Sequence, residues 1–158
     1  MKWIDLPPVW LAGFIAVVYV IGLQDWLSAR PAFEIFGIDF EENRFGWGGE
    51  LFIAAGLIAM IAAVIEMVKH RTTVIPHREA DALVETGIFA FSRNPIYLGD
   101  VLVLIGCVIY FQAVLALLLV PVFIYVIRQR FILPEEDRLF AKFGDAFDDY
   151  CEMTRRWI

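Results

Sequence analysis

Charged residues are scarce in this chain of 158 residues, at 20% against 60% hydrophobic. That balance, with a mean hydropathy of +0.68, excludes an ordinary soluble domain. Basic residues are the scarcer sign: 13 Lys and Arg against 19 Asp and Glu leave a net charge of -6. No basic stripe could then offset phosphate repulsion, which excludes nucleic acid as a partner. Histidine and cysteine number two each, and His70 and His77 have no Cys or His cluster beside them, so no metal site is expected. Cys107 lies in an apolar segment and Cys151 on a charged tail, which argues against a bridge between them. Signal-peptide features are also missing. Lys2 is the only basic feature at the start, and Gln24, Asp25 and Trp26 make a poor cleavage context. The first apolar run is therefore expected to remain as a span. Internal repeats and low-complexity tracts are absent.

Aromatic residues, in contrast, are abundant, with five Trp and 14 Phe, as suits anchoring at headgroups. Val9 to about Leu27 is apolar over roughly the 20 residues a helix needs to cross the hydrocarbon core. Pro7 and Pro8 precede it, where a helix tolerates proline. Ser28 to Gly46 reads as a loop, with Glu34, Asp39, Glu41 and Glu42 against Arg30 and Arg44; its Phe33, Ile35, Phe36, Ile38 and Phe40 suit the interface. Trp47 to Val68 is a second span, where Gly48, Gly49, Ala54, Ala55 and Gly56 permit close helix contact. Lys69 to Asn94 is polar and basic, which places it in the cytoplasm and the acidic loop outside.

Pro95 to Ile127 is apolar apart from Asp100 and Gln112. As one helix it would be on the order of 50 Å long, too much for a single crossing of a core about 30 Å thick. A helical hairpin turning near Tyr110 to Ala113 is expected, with Pro121 kinking its second arm. Arg128 and Arg130 mark the return to the cytoplasm. From Pro134 onward, Leu139, Phe143, Phe147 and Tyr150 recur at helical spacing among charges, which predicts an amphipathic helix that Gly144 can break. Arg155, Arg156 and Trp157 suit a tail lying on headgroups or closing over a pocket. The expected fold is thus an all-α integral membrane protein. Residues 1–158 form one membrane domain with four transmembrane helices (about 9–27, 47–68, 95–111 and 113–130) and an amphipathic C-terminal cytoplasmic helix. Both termini lie inside, and the polar parts 69–94 and 131–158 face the cytoplasm.

Two polar patches flank the hairpin. Arg93-Asn94-Pro95 has an ordinary reading: Asn94 as N-cap, Pro95 as first helical residue, Arg93 and Tyr97 as interfacial anchors. Glu135 and Glu136 likewise suit a first helical turn after Pro134, where the dipole favours negative charge. Asp100 fits less well, because an acid inside a span is costly and usually has a partner or a task. The hairpin brings the patches together, setting a helix N-terminus able to bind an anion beside Arg130 and a carboxylate pair. A ligand with one carboxylate and one ammonium matches such a site.

The chain also resembles a known family. Thr72-Thr73-Val74-Ile75-Pro76, Leu83-Val84-Glu85-Thr86-Gly87 and Ser92-Arg93-Asn94-Pro95-Ile96-Tyr97-Leu98-Gly99 look like the bacterial branch of the isoprenylcysteine carboxyl methyltransferase and phospholipid methyltransferase superfamily. Pro134-Glu135-Glu136, Phe143-Gly144, Tyr150 and Arg155-Arg156-Trp157 continue the likeness in order, from about Thr72 to the C-terminus. The resemblance implies an enzyme of the bacterial inner membrane that uses S-adenosyl-L-methionine without a Rossmann fold. It implies a cofactor pocket lined by Leu83, Val84 and Gly87, by Arg93, Asn94, Pro95, Tyr97, Leu98 and Gly99, and by the paired acids Glu135 and Glu136. Gly99 would allow close backbone approach. Eukaryotic prenylcysteine enzymes carry His where this chain has Asn94, which cannot titrate and so puts a prenylcysteine substrate in doubt.

Sulfonium methyl transfer is an in-line displacement, so positioning can supply most of the catalysis. Glu136, Arg130 and Asn94 are the residues expected to carry it. A glutamate would hold the cofactor ammonium, and Arg130 or the helix end near Asn94 its carboxylate. Phe89, Phe91 or Tyr97 could favour the sulfonium, or could be membrane anchors. An amine acceptor must lose a proton first; His70, His77, Glu66 and Asp100 are the candidates to take it. The expected reaction is methylation of a membrane lipid or lipophilic acceptor, with a phospholipid amine favoured over the carboxylate of an apolar acid. From other classes, an NADPH-dependent membrane reductase lacks a basic cluster for a 2′-phosphate, and a non-enzymatic scaffold is the plain alternative.

Overall fold

The computed structural model describes residues 6–28, 46–73 and 80–158. The acidic connection expected between the first two spans and the stretch Val74 to Glu79, with Ile75, Pro76, His77 and Arg78, lie outside the described residues. The described chain forms helices and no strand. The principal helices are α1 (Pro7–Ser28), α2 (Gly46–Lys69), α3 (Pro95–Tyr110), α4 (Leu119–Ile127), α5 (Leu133–Phe143) and α6 (Asp145–Met153). Three helical runs are long and apolar enough to cross a membrane: Pro7–Gln24, Trp47–Lys69 and Val114–Phe143. The span expected over 95–111 is the apolar but shorter α3, of 16 residues.

Apolar side chains face outward as well as inward. Leu51 and Ile58 on α2 are 70% and 66% exposed, and Leu118 and Tyr125 on the last long run 73% and 63%. Water would not tolerate such a surface; hydrocarbon does, and this is a membrane protein.

The central element is α3, whose buried residues include Val101, Leu104, Gly106 and Val108. It runs antiparallel to α2 through two facing glycine pairs. A Cβ on Gly49 would lie 2.8 Å from the Gly106 carbonyl oxygen, and one on Gly56 2.6 Å from that of Gly99. The pairs are one heptad apart on each helix, so they fall on the same face, and the backbones touch where any larger residue would hold them apart. Gly99 therefore serves helix packing. A Cβ there would meet Met60 Cγ at 2.4 Å and the Gly56 oxygen at 2.7 Å, so the close backbone approach expected at Gly99 is made by α2, and Gly99 does not line the cavity that holds Arg93 and Tyr97.

On its other side α3 carries α1. Gly22 abuts the Phe111 carbonyl, Tyr19 meets the Phe111 ring edge-on at 5.3 Å, and Phe14 meets Phe123 at 5.0 Å. Phe123, Ile127 and Leu104 are buried in this core.

The hairpin turns at Phe111 to Ala113, with Gln112 at a φ of 54° and the Ala113 N–H donating to the Val108 carbonyl at 3.0 Å. A 3-10 turn, Val114–Leu118, then leads into α4. Pro121 falls in the first turn of α4, where no N–H is required of it, so the irregularity precedes it instead of being a kink at mid-span. Pro134 has more effect. Its ring excludes the carbonyl four residues back, and Arg128–Ile132 winds as a π turn, with the Leu133 N–H reaching back five residues to the Arg128 carbonyl. Helix thus continues from α4 through the π turn into α5. Glu135 and Glu136 therefore lie within a continuing helix and not at a free N-terminus, where the expected stabilisation by the helix dipole would arise.

Beyond α5 the expected single amphipathic helix is two. Gly144 adopts φ 53° and ψ -126°, a conformation open in practice only to glycine, and α6 leaves in a new direction to bury Phe147 and Tyr150.

Candidate functional site

At one end of the bundle lie the start of α1, the end of α2, the start of α3 and all of α5 and α6. Two segments far apart in sequence meet there. The first is the 3-10 turn Gly87–Ala90 and the strap Phe91 to Asn94 behind it. Gly87 has a φ of 62°, which favours glycine, and a Cβ there would lie 2.9 Å from the Glu66 carboxylate. Thr86 Oγ1 donates to Glu66 Oε1 at 2.7 Å and Lys69 Nζ to Glu66 Oε2 at 3.0 Å. These contacts dock the loop on the end of α2 and use the Glu66 carboxylate structurally.

The second segment is the C-terminal tail. The Arg93 N–H donates to the Arg155 carbonyl at 3.0 Å, Asn94 Nδ2 to that of Arg156 at 3.1 Å, and Thr154 Oγ1 to that of Ala90 at 3.4 Å. Tyr150 Oη donates to the Phe89 carbonyl at 2.7 Å, and burial raises its pKa. The Asn94 side chain thus ties down the tail and does not cap α3, contrary to its ordinary reading.

Glu136 links the two segments. Arg156 grips it with two parallel bonds, Nε to Oε1 at 3.0 Å and Nη2 to Oε2 at 2.6 Å, and Arg93 Nη2 approaches Oε1 at 3.6 Å. The bond to Glu136 is also the main reason the Arg156 pKa is raised. Arg93 Nη1 contacts Cys151 Sγ, whose pKa is raised chiefly by burial.

Above this clamp lies a cavity of about 670 Å³. Leu6 just before α1, Pro7 and Pro8 of α1, and Met60, Val64 and Met67 of α2 give it apolar walls. Phe89, Arg93, Asn94, Pro95, Tyr97 and Asp100 form another side, and Glu135, Arg138 and Lys142 of α5 the polar rim. Tyr97 Oη donates to Glu135 Oε2 at 3.0 Å, setting an aromatic face beside a carboxylate. Arg93 presents a buried Nε with no hydrogen-bond partner among the described residues.

Of the residues expected to line a pocket, Arg93, Asn94, Pro95, Tyr97 and Glu135 do so. Val84 stands behind the wall, packed with Ala63 and Phe89, and neither Leu83, Gly87 nor Leu98 reaches the lining. Glu136 is drawn away by the two arginines. Arg130 lies over the Trp10 ring, 5.1 Å from its centroid, and is not part of the lining. Phe91, at 77% exposure, is also outside. Arg138 and Arg156 received no individual role from the sequence. Both sit among several arginines of similar local context, and only helix register and the path of the tail single them out.

A family model described as phospholipid methyltransferase matches residues 45–146, well over half of the chain. An uncharacterized protein of Haemophilus influenzae is 40% identical over 62 residues, which cover 39% of this chain and 98% of that protein. No solved structure matches the chain.

Proposed function

This chain belongs to the phospholipid methyltransferase family, and on that premise we propose that it methylates a lipid or lipophilic acceptor using S-adenosylmethionine. One observation carries the reading: a single cavity presents Arg93 and Glu135, opposite in sign, within otherwise apolar walls. A volume of about 670 Å³ falls in the range of roughly 300–1,000 Å³ typical of small-molecule and cofactor sites.

The residues present suit a zwitterionic ligand. Arg93, whose Nε lacks a partner among the described residues, offers a donor to a carboxylate. Glu135, steadied by Tyr97, offers an acceptor to an ammonium. Phe89 and Tyr97 supply aromatic faces for a cationic centre. Bound there, S-adenosylmethionine supplies an electrophilic methyl group on sulfonium sulfur. The chain's task is then to hold the reactants in line and keep water out, which fixed walls do at no reorganisation cost during reaction. The Glu136–Arg156–Arg93 clamp keeps the tail against the strap and so fixes the position of Arg93.

The acceptor comes from the bilayer. Both α1 and α2 pack chiefly on α3, and the apolar residues of their cavity-side ends leave a way in from the lipid side. We read α3 as a fourth crossing, shortened to roughly 24 Å. The cavity end faces the cytoplasm, since Lys69, Arg71, Arg93, Arg128 and Arg138 cluster there. Both chain ends then lie on the cytoplasmic side of the inner membrane.

Calorimetric titration of the purified chain with S-adenosylhomocysteine and with NADPH tests the cofactor. Heat from the first and none from the second is expected; the reverse would make the protein a reductase. Incubating lipid extracts with methyl-labelled cofactor then identifies the acceptor by where the label goes.

A further inference from the structure

Asp100 is 1% exposed, and neither of its carboxylate oxygens has a hydrogen-bond partner among the described residues. It lies five residues into α3, on the order of 7 Å below Pro95. There it lines the deep part of the cavity, on the same helix face as Tyr97 three residues earlier. A carboxylate so placed loses its hydration and gains no hydrogen bond in return among the described residues. The guanidinium tips of Arg93 and Arg156 converge on Glu136. Glu135, the other acid of the cavity, is at the rim and tied to Tyr97.

We propose that Asp100 is the specificity-determining residue for the methyl acceptor, pairing with a primary ammonium group that enters the cavity on an apolar tail. This rests on the methyl-transfer reading and deepens it by naming the acceptor as an amine. The walls of the same cavity include Met60, Val64 and Pro8, which suit acyl chains, while Arg138 and Lys142 suit an anionic group such as a phosphodiester. A carboxylic acid brought to Asp100 would set two carboxylates side by side, which low-dielectric surroundings penalise. An ammonium there completes the pairing that the buried carboxylate lacks.

The test uses the full chain in nanodiscs with S-adenosylhomocysteine at saturation, titrated with short-chain phosphatidylethanolamine and with phosphatidylglycerol of the same chains. Wild type should bind the amine lipid about tenfold more tightly, the scale of one charge-assisted hydrogen bond. Asp100→Asn, which keeps shape and removes charge, should bring the two lipids within about threefold while S-adenosylhomocysteine affinity stays unchanged. Asp100→Ser serves as a second variant if the first fails to fold. Persistent discrimination in the variants overturns the proposal, as does a loss of S-adenosylhomocysteine affinity, which would assign Asp100 to the cofactor. Wild type that binds S-adenosylhomocysteine but prefers phosphatidylglycerol overturns the amine alone. Wild type that binds no S-adenosylhomocysteine overturns the methyl-transfer reading beneath it.

Discussion

Neighbouring side chains on a helix diverge by about 100°, so Glu135 and Glu136 cannot serve one site in the same way. Glu135 looks into the cavity beside Tyr97, while Glu136 looks towards the tail and is held by Arg93 and Arg156. Their neutral variants should therefore fail differently. Glu136→Gln leaves two guanidinium groups facing each other without an anion. With the Glu136 side chain 13% exposed and that of Arg156 30%, this pair lies between the buried and surface extremes, and a loss of about 1–3 kcal/mol of stability is expected. Thermal unfolding and faster proteolysis of the C-terminal tail would record it. Glu135→Gln should leave the melting temperature nearly unchanged and weaken S-adenosylhomocysteine about tenfold. Equal effects of the two variants on ligand affinity would give the two acids the same role. The sequence marks these acids as a pair and places them near Arg93, but it does not say which one faces inward. That depends on the register of α5, which is set several residues upstream.

The register is an element-scale matter, and Pro134 controls it. A π turn adds one residue to a helical turn, so everything beyond Arg128–Ile132 is rotated by about 100° relative to an uninterrupted α-helix. Pro134→Ala restores an N–H and removes the ring that excludes the carbonyl of residue 130, which lets the segment relax to α-helical register. Glu135 would then swing away from Tyr97. S-adenosylhomocysteine affinity should fall several-fold although Pro134 is absent from the cavity lining; unchanged affinity would mean that the π turn has another cause. The sequence Arg128 to Ile132 carries no local mark of a π turn, so the register beyond it is not legible from those residues. The hairpin was legible for the opposite reason. An apolar run on the order of 50 Å cannot lie within one thickness of hydrocarbon, and that arithmetic requires a turn, expected near Tyr110 to Ala113 and found at Phe111 to Ala113. The small residues of α2 were legible as a contact surface, but their partners were not. Gly99 and Gly106 sit one heptad apart on α3, and only the antiparallel crossing shows that they answer Gly56 and Gly49.

At the scale of the whole molecule, the basic residues among those described are sorted along the bundle axis. Lys69, Arg71, Arg93, Arg138, Arg155 and Arg156 gather at the cavity end, while Gln112 is the polar residue of the turn at the opposite end. A bilayer reads such an asymmetry through the cost of moving Lys and Arg across, so the cavity end should stay cytoplasmic. Only then would the pocket proposed for S-adenosylmethionine open towards the cytosol while its apolar walls meet inner-leaflet lipid. Native cysteines make the topology directly measurable. Cys107 is buried in the core, and Cys151 is half-buried at the cavity end. In intact spheroplasts a membrane-impermeant maleimide should label Gln112→Cys and leave Cys151 unlabelled; Cys151 should react only after the membrane is opened. The reverse pattern would put the clamp, the tail and the cavity rim outside, away from any supply of S-adenosylmethionine, and the methyl-transfer reading could not stand. Labelling of neither site before permeabilisation would indicate that α3 and α4 do not reach the far surface, leaving the hairpin as a re-entrant element and the cavity chemistry as proposed.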